Sequence, residues 1–210
     1  MARITGLSDI GHGKLLASAC ISGIMCIFAG CNQWSIFGMW DKDSVLQRLR
    51  ESLGGAEVRA LAKEVPCSLL LPCLAEEEDI RVARNAAWVL THKSPTEIRT
   101  LPQDGLINLS LATQDTSLRR LTLCLVERQG IAAEEVRTDF LDFCLLHMRL
   151  PQEPPGVQAL CMKLAYSMCS PYPELLHEFQ ETLNLMQPEQ HKPGVKHLIN
   201  KIKGKSQKGR

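Results

Sequence analysis

Beyond Met39 the apolar positions recur at helical spacing. Val82, Ala86, Val89 and Leu90 form an i, i+4, i+7, i+8 stripe, and Leu118, Leu121, Thr122, Leu125 and Val126 repeat it. Val157, Leu160, Cys161, Leu164 and Ala165 follow, then Val195, Leu198, Ile199 and Ile202, while Leu46, Leu49 and Leu53 open the series. Such spacing gives an α-helix one apolar face, and no segment alternates as a half-buried strand does. The anchors Leu46, Val82, Leu118, Val157 and Val195 are 36, 36, 39 and 38 residues apart. That is the period of a helical hairpin repeat. One hairpin cannot bury its apolar face alone, so several must stack. The pattern therefore predicts an all-α chain.

Second helices are expected between the anchor helices, over Ser68–Ala75, Asp104–Ala112, Glu134–Met148 and Pro173–Met186. Pro72 should shorten or kink the first of them, because an interior proline lacks the amide donor and clashes with the preceding turn. Ser94-Pro95, Leu101-Pro102, Gln129-Gly130, Pro154-Pro155-Gly156 and Pro193-Gly194 supply the punctuation. Leu160, three residues after Val157, is expected to be buried, and Lys163, six after it, to point outward.

With this register the residues Val82 to His92 resemble HEAT repeats and the related armadillo class, a resemblance of pattern that extends over residues 43 to 203. It implies a right-handed α-solenoid of about four to five hairpins. Gly156 to Lys203 also resembles short Bacteroidetes helical-repeat proteins that carry an adenylosuccinate lyase label. The signature loop of that superfamily, Ser-Ser-x-Met-Pro-x-Lys-x-Asn, does not occur here, so the label implies no catalysis by this chain.

Composition adds little to the fold and something to the setting. Aromatic residues make up only 5% of the chain, which suits Leu- and Ala-rich helices better than a β-sandwich. A net charge of +1 provides no global field, so any electrostatic preference must come from local clusters. Of nine cysteines, Cys67, Cys73, Cys124, Cys144, Cys161 and Cys169 lie within apolar helical patterns and read as small buried hydrophobes with free thiols in a reducing, cytoplasmic setting.

The segment 1–38 fits no repeat register. Leu15 to Gly30 is uncharged and of signal-peptide length, and Phe28-Ala29-Gly30-Cys31 resembles a bacterial lipobox, which implies lipidation at Cys31 and a lipoprotein. A disordered leader, or an over-extended start ahead of Met39, remains open beside that reading. No transmembrane span is expected, because the run falls short of about twenty apolar residues. The organisation is thus a leader at 1–38, a repeat domain at 39–203 and a basic tail at 204–210.

The common phosphate-loop, dinucleotide, zinc-protease and hydrolase motifs do not occur. Cys144 and His147, three apart on one helix, could share a metal or activate a thiolate, but no second ligand pair accompanies them. No cofactor is expected. Arg84 and Trp88 lie one helical turn apart beside Asn85, and a cation and an aromatic so placed can bind a ligand. The plainer expectation is that Trp88 fills space between repeats while Asn85 bonds an inter-repeat backbone group. Glu76 to Asp79 and Glu134-Glu135 suit helix N-termini. His191 and His197 are expected to be solvent-exposed.

After Glu189 no acidic residue occurs, while Lys192, Lys196, Lys201, Lys203, Lys205, Lys208 and Arg210 accumulate. The expected function is a non-catalytic scaffold that binds a protein or peptide partner, with Arg84, Trp88, Lys196, Lys201 and Lys203 as candidate contacts. A nucleic-acid binder using the C-terminal lysines is the alternative, related in architecture to the DNA alkylation repair family. An enzyme is the third class.

Overall fold

The computed structural model describes residues 40–75, 79–132 and 136–208. The leader 1–38 with Cys31, the acidic residues 76–78, Glu134-Glu135 and Arg210 lie outside the described residues, as do the side chains of Lys205 and Lys208. Eleven α-helices follow in order: α1 Lys42–Arg50, α2 Gly55–Glu64, α3 Cys67–Leu70, α4 Ile80–Leu90, α5 Pro95–Arg99, α6 Gln103–Ala112, α7 Thr116–Gln129, α8 Thr138–His147, α9 Pro155–Cys169, α10 Pro173–Leu185 and α11 Pro193–Lys208. Short 3₁₀ turns occupy Pro72–Ala75 and Pro188–Gln190, and no strand occurs among the described residues.

The helix starts follow from local chemistry. Asp41 and Ser44 form a capping box, the Asp41 carboxylate accepting from the Ser44 amide at 2.7 Å and the Ser44 hydroxyl accepting from the Asp41 amide at 3.1 Å. Asp79 caps α4 through the Arg81 amide at 2.9 Å, and Asp115 caps α7 through Leu118 at 2.8 Å. Each such cap is worth about 1 kcal/mol. Pro95, Pro155 and Pro173 sit in the first turn of their helices, where a missing amide hydrogen costs nothing. Gly130 ends α7 at φ +78°, a conformation that suits glycine.

The anchor helices α1, α4, α7, α9 and α11 form one row, each packed on the next. Two second helices pack chiefly on the anchor that follows them, α6 on α7 and α8 on α9, whereas α10 packs chiefly on α9, the anchor before it. The hairpin phase therefore changes along the row. Short connections contribute: three residues, 113–115, separate α6 from α7, and three, 170–172, separate α9 from α10, which obliges each pair to fold back as a hairpin. The interval between α1 and α4 also holds α2, which the repeat pattern did not predict, and α5 precedes α6 as an extra single turn. Pro72 does break its helix, leaving α3 and a 3₁₀ turn where a continuous helix over 68–75 was expected.

The core runs the length of the row through Leu49, Val82, Leu118, Val157 and Val195, all buried. Leu160 is only half-buried, contrary to expectation. Three residues on from Val157 the helix has turned past its buried stripe, which follows Cys161, Leu164, Ala165 and Met168. Adjacent units are also joined by polar side chains reaching back to spent carbonyls. Asn85 Nδ2 donates to Leu49 O at 2.8 Å and Glu51 O at 3.0 Å, at the end of α1. Arg128 donates to Thr91 O and, at 3.4 Å, to Lys93 O, at the end of α4. Gln129 Nε2 donates to Ile98 O at 2.9 Å and Leu101 O at 2.8 Å.

Leu164→Ala should cost about 2–5 kcal/mol through the cavity it leaves, and Leu160→Ala distinctly less. Asn85→Ala should cost about 1–3 kcal/mol, because it strands buried acceptors. Urea unfolding measures all three, and hydrogen exchange on Asn85→Ala should accelerate in α1 before α9. Equal losses at positions 160 and 164 would contradict this register.

Candidate functional site

Opposite the buried stripe lie the residues two, six and nine after each anchor, since these spacings bring a helix to its far side. In α4 they are Arg84 and Trp88, followed by Thr91 at its C-cap; in α7, Arg120, Cys124 and Glu127; in α9, Ala159, Lys163 and Tyr166; in α11, His197 and Lys201. All are half-buried or exposed. Trp88 and Lys201 therefore occupy the same repeat position, with α7 and α9 between them. Lys196 and Lys203 sit one and eight residues after Val195, off that line; Lys196 is exposed and Lys203 half-buried.

Most cations on this face are matched by the chain's own carboxylates. Arg48 pairs with Glu51 at 2.6 Å and with Glu57, Arg84 with Asp115 at 3.1 Å, and Lys163 with Glu127 at 3.0 Å. The Arg84 pair links α4 to the cap of α7, and the Lys163 pair links α9 to α7. Arg120 and Lys201 have no ion pair among the described residues. The Arg120 stem crosses Gly156 so closely that a β-carbon there would stand 3.0 Å from Arg120 Cδ. Trp88 packs against the core and meets His92 edge to face, 6.3 Å between centroids.

Between α7, α9 and α11 this face opens into a hollow of about 270 Å³. Leu164, Leu198, Ile202 and Ile131 give it an apolar lining, and Glu127, Lys163, Tyr166, Ser167 and Lys201 complete it. A shallower depression of about 460 Å³, lined by Arg99, Gln103 and Gln129 among others, shares Gly130 and Ile131 with it. Neither hollow is lined by Arg84, Trp88, Cys144 or His147.

Cys144 and His147 do not act on each other. His147 turns its Nδ1 to Glu153 Oε1 at 2.7 Å and stacks on Phe143 with 4.0 Å between centroids. Burial, followed by hydrogen bonding with Cys161, raises the Cys144 thiol well above its ordinary value, the reverse of what a nucleophile needs. Burial likewise raises Cys67 and Cys124, and pushes Cys169 up to about 11 with help from the Glu178 carboxylate. The six described cysteines are free thiols, and no group of three or more His, Cys, Asp or Glu residues among the described residues could hold a metal.

Glu153 also meets Arg119 Nη1 at 3.6 Å, and Arg119 lies over the Phe143 ring at 5.8 Å and donates to Thr113 O at 2.6 Å. This nearly buried cluster joins α7, α8 and the loop before α9. His191 is half-buried, its Nδ1 3.3 Å from Gln158 Oε1, where full exposure was expected; the loop after α10 folds back over α9. His197 is exposed. Glu127, Tyr166 and Lys163 were not singled out as site residues from the sequence. Comparing the outward positions from repeat to repeat, rather than only the apolar ones, would have found them.

The family model for the HEAT repeat domain matches residues 45–206. The chain belongs to the HEAT repeat family. No curated protein and no solved structure matches it. No helix among the described residues is long and apolar enough to cross a membrane.

The raised thiols set a pH limit on the fold. Below about pH 9, the ordinary thiol value, Cys169 is protonated in both the folded and unfolded states and contributes no pH dependence. Between 9 and about 11 the unfolded thiol ionises while the folded one stays protonated, so stability falls. Urea unfolding across this range should show a decline that is smaller in Cys169→Ala; identical slopes would contradict the assignment.

Proposed function

We propose that this chain is a non-catalytic scaffold that binds a protein or peptide partner across the outward face of its anchor row. The hollow between α7, α9 and α11 carries the reading. It joins an apolar floor to polar groups at its edge, the combination that anchors a partner's side chains. Arg84 and Trp88 extend the same face at the other end of the row. The raised thiols and the engaged His147 weigh against an enzyme.

The nucleic-acid reading draws support from Lys196, Lys201 and Lys203 on the last helix. Against it stand the carboxylates that pair with Arg48, Arg84 and Lys163, since a phosphate backbone is held by cations free to replace its counterions. The cytoplasmic and lipoprotein readings both remain compatible with a scaffold of this kind.

A photo-crosslinker in place of Leu198 should yield polypeptide adducts in the native cell, and one at the exposed Glu178 on α10 should not. Adducts to nucleic acid from Leu198, together with duplex binding that falls steeply with salt, would replace this reading with the alternative.

A further inference from the structure

Neighbouring anchor helices meet through a repeated slot, formed by the residue nine after one anchor and the residue six after the next. Between α7 and α9 the slot holds Glu127 and Lys163, which form an ion pair at 3.0 Å. One repeat later the same positions are Tyr166 and Lys201. The cation is kept and the carboxylate is gone. Tyr166 is half-buried against Phe179, 5.9 Å between ring centroids, and Lys201 is exposed with no ion pair among the described residues. Both line the hollow whose floor is Leu164, Leu198 and Ile202.

We propose that this hollow receives an acidic peptide segment of a partner protein, whose carboxylate takes the place of the missing glutamate on Lys201 while a neighbouring apolar side chain of the same segment covers the half-buried Leu198. The proposal rests on the scaffold reading above and narrows it to one class of partner. Charge complementarity identifies the occupant: the chain closes this slot with its own carboxylate at the preceding interface and, among the described residues, supplies none here, beside the half-buried Leu198. The phenol of Tyr166 can donate to the same carboxylate, which Glu127 would repel. A nucleic acid fits less well, because the adjoining cation Lys163 is already neutralised and the floor offers aliphatic groups in place of aromatic rings for stacking.

The test is fluorescence anisotropy on the full chain with a short labelled peptide of alternating leucine and glutamate as the probe. Peptides with glutamine for glutamate, or serine for leucine, should bind more weakly. Lys201→Glu lies on the surface and reverses the charge, so affinity should fall about tenfold. Lys192→Glu makes the same change of net charge outside the hollow and should leave affinity within about twofold. Tyr166→Glu rebuilds the internal pair and should block the peptide, whereas Glu127→Gln frees Lys163 and should strengthen binding by up to about fivefold, the range of an exposed ion pair. Equal losses from Lys201→Glu and Lys192→Glu would show diffuse electrostatics and overturn the site. Absence of peptide binding would also overturn it, while polypeptide adducts from position 198 would still uphold the broader scaffold reading. Tighter binding of a duplex oligonucleotide than of the peptide would overturn both.

Discussion

An α-helix spends its last turn with carbonyl oxygens that nothing inside the helix can satisfy. In this stack the next unit supplies their partners. Asn85 reaches back to Leu49 O and Glu51 O, and Arg128 to Thr91 O and Lys93 O, so the ends of α1 and α4 are completed by α4 and α7 respectively. The same contacts fix the distance and rotation between neighbouring anchors, because a side chain that donates to two carbonyls at once tolerates little displacement. Apolar burial drives the stacking. These donors decide where it stops.

Once the anchors are fixed in this way, their far sides fall into a line, and that line carries the surface chemistry. Between α7 and α9 the residue six after one anchor, Lys163, pairs with the residue nine after the preceding one, Glu127. Exposed pairs such as Glu127–Lys163 are worth at most about 1 kcal/mol each. Their larger consequence is for recognition, since each closed pair removes a cation from competition for an external anion. Among the described residues of this face, Arg120 and Lys201 are the cations without an ion pair, and there the face offers charge to another molecule. At Arg120 the position that Asp115 fills for Arg84 is taken by Pro154, and the guanidinium stem rests on Gly156 instead.

Much of the architecture was legible because periodicity survives in single sequences. Of the five anchors, Val82, Leu118, Val157 and Val195 proved buried, whereas Leu46 is half-buried because α1 turns Val45 and Leu49 to the core, and α6 and α10 lie within a residue of their expected ranges. Three features escaped for physical reasons. The hairpin phase depends on connection length, which the apolar stripe does not encode. Leu160 was placed by a spacing rule that treats i+3 and i+4 alike, although the core in α9 favours i+4 through Cys161. Helix α2 departs from the simple two-helix unit, with Val58, Leu61 and Ala62 burying a short face against α4. The site was less legible than the fold. Lys201 was visible as part of a basic run, but its meaning depends on Tyr166, which is distant in sequence and unremarkable without the neighbouring repeat for comparison.

The 39-residue interval before Val157 shows what an irregular repeat can accommodate. At α4 and α7 an aspartate three residues before the anchor, Asp79 or Asp115, caps the helix. Here Pro154 takes that position, and Glu153 beside it turns inward to Arg119 and His147. A buried arginine without a counter-ion would be strongly destabilising, by about 3–5 kcal/mol when one partner of such a pair is removed. Arg119 can therefore be kept inside only because the longer loop delivers a carboxylate to it. The exchange leaves Arg119 Nε and Glu153 Oε2 without a protein partner, so the cluster secures the α7–α8–α9 junction less completely than an apolar core would. It also removes the acid that would have paired with Arg120 on the outer surface. The neutralisation of Arg119 and the lack of an ion pair at Arg120 among the described residues thus have one cause, the replacement of a surface cap by an inward glutamate.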